Sequence, residues 1–188
     1  NRGLGLEFAR QYAAEGWRVL ACCRDPASAQ ELRGVASAGD VVVHALDVED
    51  FAAIGRLAST LAGTSIDVLI NNAGLFGPKV HAERDLRQSF GHVDYDIWSR
   101  VLRVNTQAPL RMAEAFVEHV AASEQRRIVN VSSAIGSIAR TEGGLYAYRT
   151  SKAALNMVSA TLARDLAPRG IRVMSVCPGW VRTRMGGA

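Results

Sequence analysis

Five short β-branched runs stand out along the chain: "WRVLACC" (17–23), "VVVHAL" (41–46), "IDVLIN" (66–71), "RRIVNVS" (126–132) and "IRVMSV" (171–176). Between them, apolar positions recur at helical spacing over about 4–15, 27–37, 50–62, 94–122 and 148–167. Short apolar strands alternating with helices predict a parallel sheet covered on both faces. The expected fold is therefore α/β: a doubly wound, Rossmann-like parallel sheet in a single domain over 1–188. The least regular stretch, 75–93, is expected to be a loop near the site or the approach to the long helix. Ligands of such sheets bind outside the carboxyl ends of the strands, so the residues just after each run are the candidates for chemistry.

Composition narrows the possibilities. A chain of 188 residues, 48% hydrophobic and 21% charged, suits one globular domain with a full core. No apolar run is long enough to span a membrane, and "NRGLGLEFAR" lacks the apolar stretch of a secretory signal. Cys22, Cys23 and Cys177 lie in apolar strand-like runs and read as reduced core residues of a cytoplasmic protein. His44, His81, His92 and His119 are scattered, so no metal site is expected. The net charge of +4 is spread along the chain without an aromatic stacking platform. An anionic small ligand fits this better than nucleic acid.

Gly3 and Gly5 stand at the start of the first helical segment. There they can let a pyrophosphate approach backbone N–H groups at the positive end of the helix dipole, or they can simply make a tight turn. No strand precedes them, although the first strand of this fold lies centrally, so the chain is expected to be a fragment of a longer one. Arg24 ends the second expected strand of the fold, where an arginine can fork around a ribose 2′-phosphate, and Arg2 is a second cation on that side. These two favour NADP(H) over NAD(H), although Asp25 can instead neutralise Arg24. Asp47 and Val48 end the next run; Asp47 can accept from an adenine amine or cap the following helix. Asn71, Asn72, Ala73 and Gly74 close the run after that. The amides can tie neighbouring strand ends, and Ala73-Gly74 can let a cofactor pass close to the backbone.

"LYAYRTSKAALN" (145–156) offers two tyrosines and a lysine. Tyr148 and Lys152 are four apart and share a helix face, whereas Tyr146 points about 120° away from Lys152. A phenol titrates near 10, too high for proton exchange at neutral pH, and an adjacent ammonium is expected to lower it. Such a pair makes a proton shuttle for a carbonyl oxygen. Ser132 and Ser133 end the strand upstream, and one of them can polarise that carbonyl. Pro178-Gly179, Trp180, Val181, Arg182 and Thr183 follow the last strand, where a loop can hold a nicotinamide amide.

Taken together, N-R-G-L-G (1–5), N-N-A-G (71–74), V-N (104–105), V-S-S (131–133), Y-R-T-S-K (148–152) and P-G-W-V-R-T (178–183) resemble the short-chain dehydrogenase/reductase family. They cover essentially the whole chain in the family's order, and "GGLYAYRTSKAALN" and "PGWVRTRMGG" look most like its C-factor-like and sniffer-like carbonyl reductases. The resemblance implies Tyr148 as acid/base, Lys152 as the residue that lowers its pKa and holds the nicotinamide ribose, and Ser133 as the group that orients the carbonyl. It implies that Asn105 holds a water linking Lys152 to solvent. It also implies that Gly3, Leu4, Gly5, Asn71, Ala73, Gly74, Pro178, Gly179, Val181 and Thr183 shape the cofactor bed. The family's threonine-glycine opening is missing, and the chain stops near the expected substrate lid. Ser133 and Tyr148 are fifteen apart, which taken alone favours Tyr146; the lysine spacing selects Tyr148.

The expected activity is NADP(H)-dependent interconversion of a small-molecule carbonyl and alcohol. The resemblance also implies a homodimer or homotetramer, with contacts through the apolar faces of helices 94–122 and 148–167, faces that can instead pack within the chain. Two other readings compete. A non-enzymatic nucleotide-binding or signalling protein could keep the same fold. A hydrolase built on Ser133 lacks a histidine or acid at any recognisable spacing.

Overall fold

The computed structural model describes residues 1–79, 84–183 and 185. It contains two compact units, residues 1–57 with 181 onward, and Ala58–Trp180.

The first unit opens with α1 (Gly3–Ala14), followed by β1 (Val19–Cys23), α2 (Gln30–Ala38) and β2 (Val41–Ala45). The strands pair in parallel, from Val19 opposite Val41 to Cys23 opposite Ala45. Ala9, Cys23, Ala29 and Leu32 form its buried cluster, with Leu6, Val19, Ala21 and Val43 packed against it. Successive strand residues face opposite sides, so Cys23 enters this cluster while Cys22 is exposed. Cys177, just past the last strand, is exposed as well. The expectation of three core cysteines therefore holds only for Cys23. Helix α3 (Phe51–Thr60) starts behind Asp50, whose carboxylate accepts from Ala53 N–H at 3.0 Å.

The second unit holds β3 (Val68–Asn71), α4 (Tyr95–Leu102), α5 (Ala108–Ala121), β4 (Arg127–Val131), α6 (Tyr146–Leu166) and β5 (Arg172–Val176). Its three strands lie in the order β3-β4-β5, all parallel. Phe116 and Val120 of α5, Ile128 of β4, Leu155 of α6 and Ile171 are almost fully buried. All five expected strands are present, each pairing is parallel, and helices separate them in the chain. This is the Rossmann-like α/β pattern that the sequence predicts.

The expected 94–122 helix is not continuous. Asp94 caps α4 by accepting from the N–H groups of Asp96 and Ile97, and residues Arg103–Gln107 then form a π-helical turn before α5. Pro109 explains the widening: it has no N–H to give the Asn105 carbonyl, so the α-helical ladder fails there. Helix α6 starts at Tyr146, two residues before the expected boundary, behind Leu145 in the left-handed region (φ 51°). In the irregular 75–93 stretch, residues 75–79 and 84–93 carry no helix or strand, and 80–83 lie outside the described residues.

A chain of side-chain amides crosses the second unit's core. Asn71 Nδ2 donates to Asn130 Oδ1 at 2.8 Å, and Asn130 Nδ2 donates to Ser159 Oγ at 2.8 Å. It joins β3, β4 and α6 through a residue with no exposed surface, Asn130. Replacing Asn130 with Ala leaves Asn71 without this acceptor and Ser159 without its donor, at about 1–3 kcal/mol for each buried group left unpaired. Urea denaturation should show a lower midpoint at an unchanged slope.

Candidate active site

The carboxyl end of β4 and the first turns of α6 carry the proposed chemistry. After Val131, Ser132 and Ser133 turn to opposite sides. Ser132 donates to Asn156 Oδ1 at 2.7 Å and is tied into the α6–β5 packing, where Ser175 donates to the same oxygen at 2.8 Å. Ser133 caps a short 3-10 turn (Ala134–Gly136) and interacts with the Tyr148 hydroxyl. Of the two serines, Ser133 is the one that faces the phenol.

This turn lies backbone to backbone against α6. A Cβ built on Gly136 would sit 2.7 Å from Lys152 Cβ and 2.9 Å from the Lys152 carbonyl carbon. Glycine at 136 is therefore what lets the Ser133 turn approach the lysine, a requirement that the sequence alone did not single out.

Tyr148 and Lys152 are both buried, at 7% and 4% exposure. The Lys152 ammonium lies 5.8 Å from the centre of the Tyr148 ring and donates to the Val131 carbonyl at 2.8 Å. An ammonium has three donors, so this bond leaves two for a ligand. A Cβ on Gly74 would come within 3.4 Å of Asn105 Oδ1 and 3.8 Å of Lys152 Nζ, so the Asn71–Gly74 strand end passes directly over this lysine.

The electrostatics differ from the sequence-based expectation. Burial raises the Tyr148 phenol above its ordinary value; interaction with Ser133 opposes the rise and Cys177 adds to it. The expected lowering by Lys152 does not dominate, because desolvation acts on both groups. It pushes the lysine itself down to about 8.

Asn105 sits in the π turn with no exposed surface. Its Oδ1 accepts from Leu75 N–H at 2.7 Å, and its Nδ2 donates to the Leu75 carbonyl at 2.8 Å and to Ser151 Oγ at 2.9 Å. Thr106 adds a bond to the Ser151 carbonyl at 2.9 Å. The side chain thus clamps the loop after β3 to α6 with both of its donors engaged.

Pro178 and Gly179 follow β5 in an exposed turn, with Gly179 at φ 74°. In the first unit, Arg2 is the extended residue before α1, and Gly3, Leu4 and Gly5 form that helix's first turn, not a loop ahead of it. Gly3 stands at φ 51°, with the Thr183 methyl 3.5 Å from where a Cβ would be. Val181 and Arg182 precede Thr183 without helix or strand. Arg24 is exposed at the end of β1. Asp25 is committed to its own turn, accepting from Ala27 N–H at 3.0 Å and Ser28 N–H at 3.4 Å, and no ion pair joins it to Arg24 among the described residues. Asp47 accepts from Glu49 N–H at 3.0 Å while Asp50 caps α3, so the capping alternative for Asp47 falls away. Val48 follows it in the same turn.

Among the described residues, no group of His, Cys, Asp or Glu could hold a metal, and no helix is long and apolar enough to cross a membrane.

Comparison with known proteins identifies the family. The family model for short chain dehydrogenases matches residues 1–188. C-signal of Myxococcus xanthus is 41% identical over 131 residues, 69% of this chain and 74% of that protein. The NADPH-bound carbonyl reductase from chicken fatty liver superposes with a TM-score of 0.87 at 34% identity, covering 100% of this chain and 79% of that one. The carbonyl reductase Sniffer of D. melanogaster superposes at 0.84 with 32% identity, covering 100% and 80%. Matched over its whole length by that family model, the chain belongs to the short-chain dehydrogenase family of NAD(P)-dependent oxidoreductases.

Proposed function

We propose that the protein is an NADP(H)-dependent reductase of a small carbonyl compound, acting also on the corresponding alcohol, with Tyr148 as proton donor and acceptor. The observation that carries this reading is the pairing of buried Tyr148 and Lys152 with a half-buried Ser133 at the end of β4. A bound nicotinamide cofactor supplies the hydride. The residues present suit it: two uncommitted Lys152 donors, a glycine passing over them at 74, and N–H groups at the start of α1. Arg24 and Arg2 would take a 2′-phosphate, which favours NADP(H) over NAD(H). Asp47 and Val48 would border the adenine, and Pro178, Gly179, Val181 and Thr183 the nicotinamide.

In reduction, Ser133 holds the carbonyl oxygen and stabilises the charge that develops on it, while the Tyr148 hydroxyl gives its proton to that oxygen. Lys152 would hold the ribose, and its charge lies 5.8 Å from the centre of the phenol ring. Asn105 keeps the β3 loop against α6, and a water serving Lys152 would meet carbonyl oxygens there, since both Asn105 donors are taken. NADPH-bound and NADP-bound relatives support the cofactor choice. Exposed Tyr95 on α4 and Met157 on α6 suit a homodimer or homotetramer built on those helices, and the cysteines, all free, suit the cytoplasm.

Oxidation of NADPH with a panel of aldehydes and ketones tests the reading against a protein that only binds nucleotide; binding without turnover would favour the latter. Tyr148→Phe should lower kcat by about 10²–10⁴-fold with the Kd for NADPH nearly unchanged, whereas Tyr146→Phe stays active. The reverse pattern would assign the chemistry to Tyr146.

The pH dependence follows from burial. Lys152 carries its charge below about 8 and loses it above, while the phenol keeps its proton through that range. The value of kcat/KM for NADPH should therefore fall as pH rises through about 8. In Lys152→Met that limb should disappear at a lower plateau.

Arg24→Ser removes one charge-assisted contact to the 2′-phosphate, about 1.5–3 kcal/mol. KM for NADPH should rise roughly 10- to 100-fold while KM for NADH hardly moves.

A further inference from the structure

The helix that carries Tyr148 begins without a cap of its own. Leu145 precedes it in a left-handed conformation and offers no side-chain acceptor. The acceptors come instead from a distant residue. The Gln88 carbonyl accepts from Tyr146 N–H at 3.1 Å, and Gln88 Oε1 accepts from Tyr148 N–H at 3.0 Å. On its other side the same carboxamide donates to the carbonyls of Phe76 at 2.9 Å and Pro78 at 2.8 Å. Gln88 has no exposed surface, in a segment whose neighbours Arg87 and Phe90 are open to solvent.

What those two carbonyls hold is the wall of the tyrosine. The Phe76 ring lies against Tyr148 with centroids 4.6 Å apart. Gly77, between the two bonded carbonyls, stands at φ 81°, and a Cβ there would come 2.9 Å from Gln88 Nε2. The loop is shaped around the amide. Asn105 grips Leu75 and Gln88 grips Phe76 and Pro78, so two buried amides hold the segment Leu75–Pro78 beyond β3.

We propose that Gln88 is a positioning residue for Tyr148: one carboxamide caps the helix that carries the phenol and ties down the loop whose aromatic ring packs on it. This rests on the reading of Tyr148 as the proton donor. The site needs one acceptor and two donors in a single planar group. Glutamate keeps the acceptor and lacks the donors, and methionine keeps the approximate length and lacks both.

The test uses Gln88→Met and Gln88→Glu in the full chain labelled with 3-fluorotyrosine. The Tyr148 fluorine resonance is identified by its loss in Tyr148→Phe. In both Gln88 variants it should split or move towards free 3-fluorotyrosine, while the Tyr12 and Tyr95 resonances stay in place. With the best substrate of the carbonyl panel, kcat should fall about tenfold or more while the Kd for NADPH stays within about twofold, because a small displacement of a reacting group costs rate and not cofactor binding.

An unmoved Tyr148 resonance, a kcat near that of the parent, or NADPH affinity lost in step with kcat would each overturn the proposal. Should Gln88→Met fail to fold, Gln88→Glu decides by the same readings. Failure of both makes Gln88 a requirement of the fold alone and counts against the proposal. If the parent protein turns over no carbonyl, the catalytic reading has failed, and the fluorine resonance still decides whether Gln88 places the phenol.

Discussion

A charged ammonium with 4% exposure is the constraint around which the second unit is organised. Lys152 reaches the Val131 carbonyl from α6 and so links that helix to the end of β4. Burial costs it proton affinity, down to about 8, but it stays predominantly protonated at neutral pH. Keeping it there requires close neighbours without bulk of their own. Gly136 brings the Ser133 turn to the lysine's Cβ, and Gly74 brings the β3 exit to its ammonium. A side chain at 136 would push the serine away from the lysine, so two parts of the proposed machinery depend on one missing methyl group.

Around that cation, buried amides and hydroxyls pair with one another. Asn71, Asn130 and Ser159 bond in series across β3, β4 and α6, while Asn105 and Ser151 join the π turn to α6. Buried amides are costly when half-paired and stiff when fully paired. Here they fix the register of strand ends that an apolar core would let slide, and it is the strand ends that set the spacing of Ser133, Tyr148 and Lys152. Ser151 illustrates the economy: it accepts from Asn105, donates to the Tyr148 carbonyl, and stands one residue before Lys152.

Much of this was legible in the chain because its signals are periodic. The five β-branched runs became the five strands, with ends shifted by one or two residues. Helical spacing separated Tyr148 from Tyr146, and strand alternation required that only one of Ser132 and Ser133 serve. What escaped were contacts between residues far apart in the chain. Nothing around Gln88 marks its burial, since its partners Phe76, Pro78 and Tyr148 lie 10 or more residues away. The π turn that holds Asn105 follows from Pro109, a local signal present in the sequence. The direction of the Tyr148 shift was misjudged because sequence spacing reveals a neighbouring charge but not the depth of burial, and here burial dominates.

That direction bears on the proposed reaction. A phenol raised by burial keeps its proton across the neutral range, so the chain by itself holds Tyr148 as an acid, with Ser133 beside it. Giving a proton to a developing alkoxide needs nothing more from the protein than this alignment. Taking a proton from an alcohol needs the phenolate, and Lys152 at 5.8 Å from the ring centre does not offset the desolvation. In the proposed reaction, the reducing direction draws on a proton already in place, whereas the oxidising direction calls for positive charge that favours the phenolate. An ordinary phenol is already protonated at neutral pH; burial deepens the asymmetry, and Phe76 on the ring and the amides that hold its loop contribute to that burial.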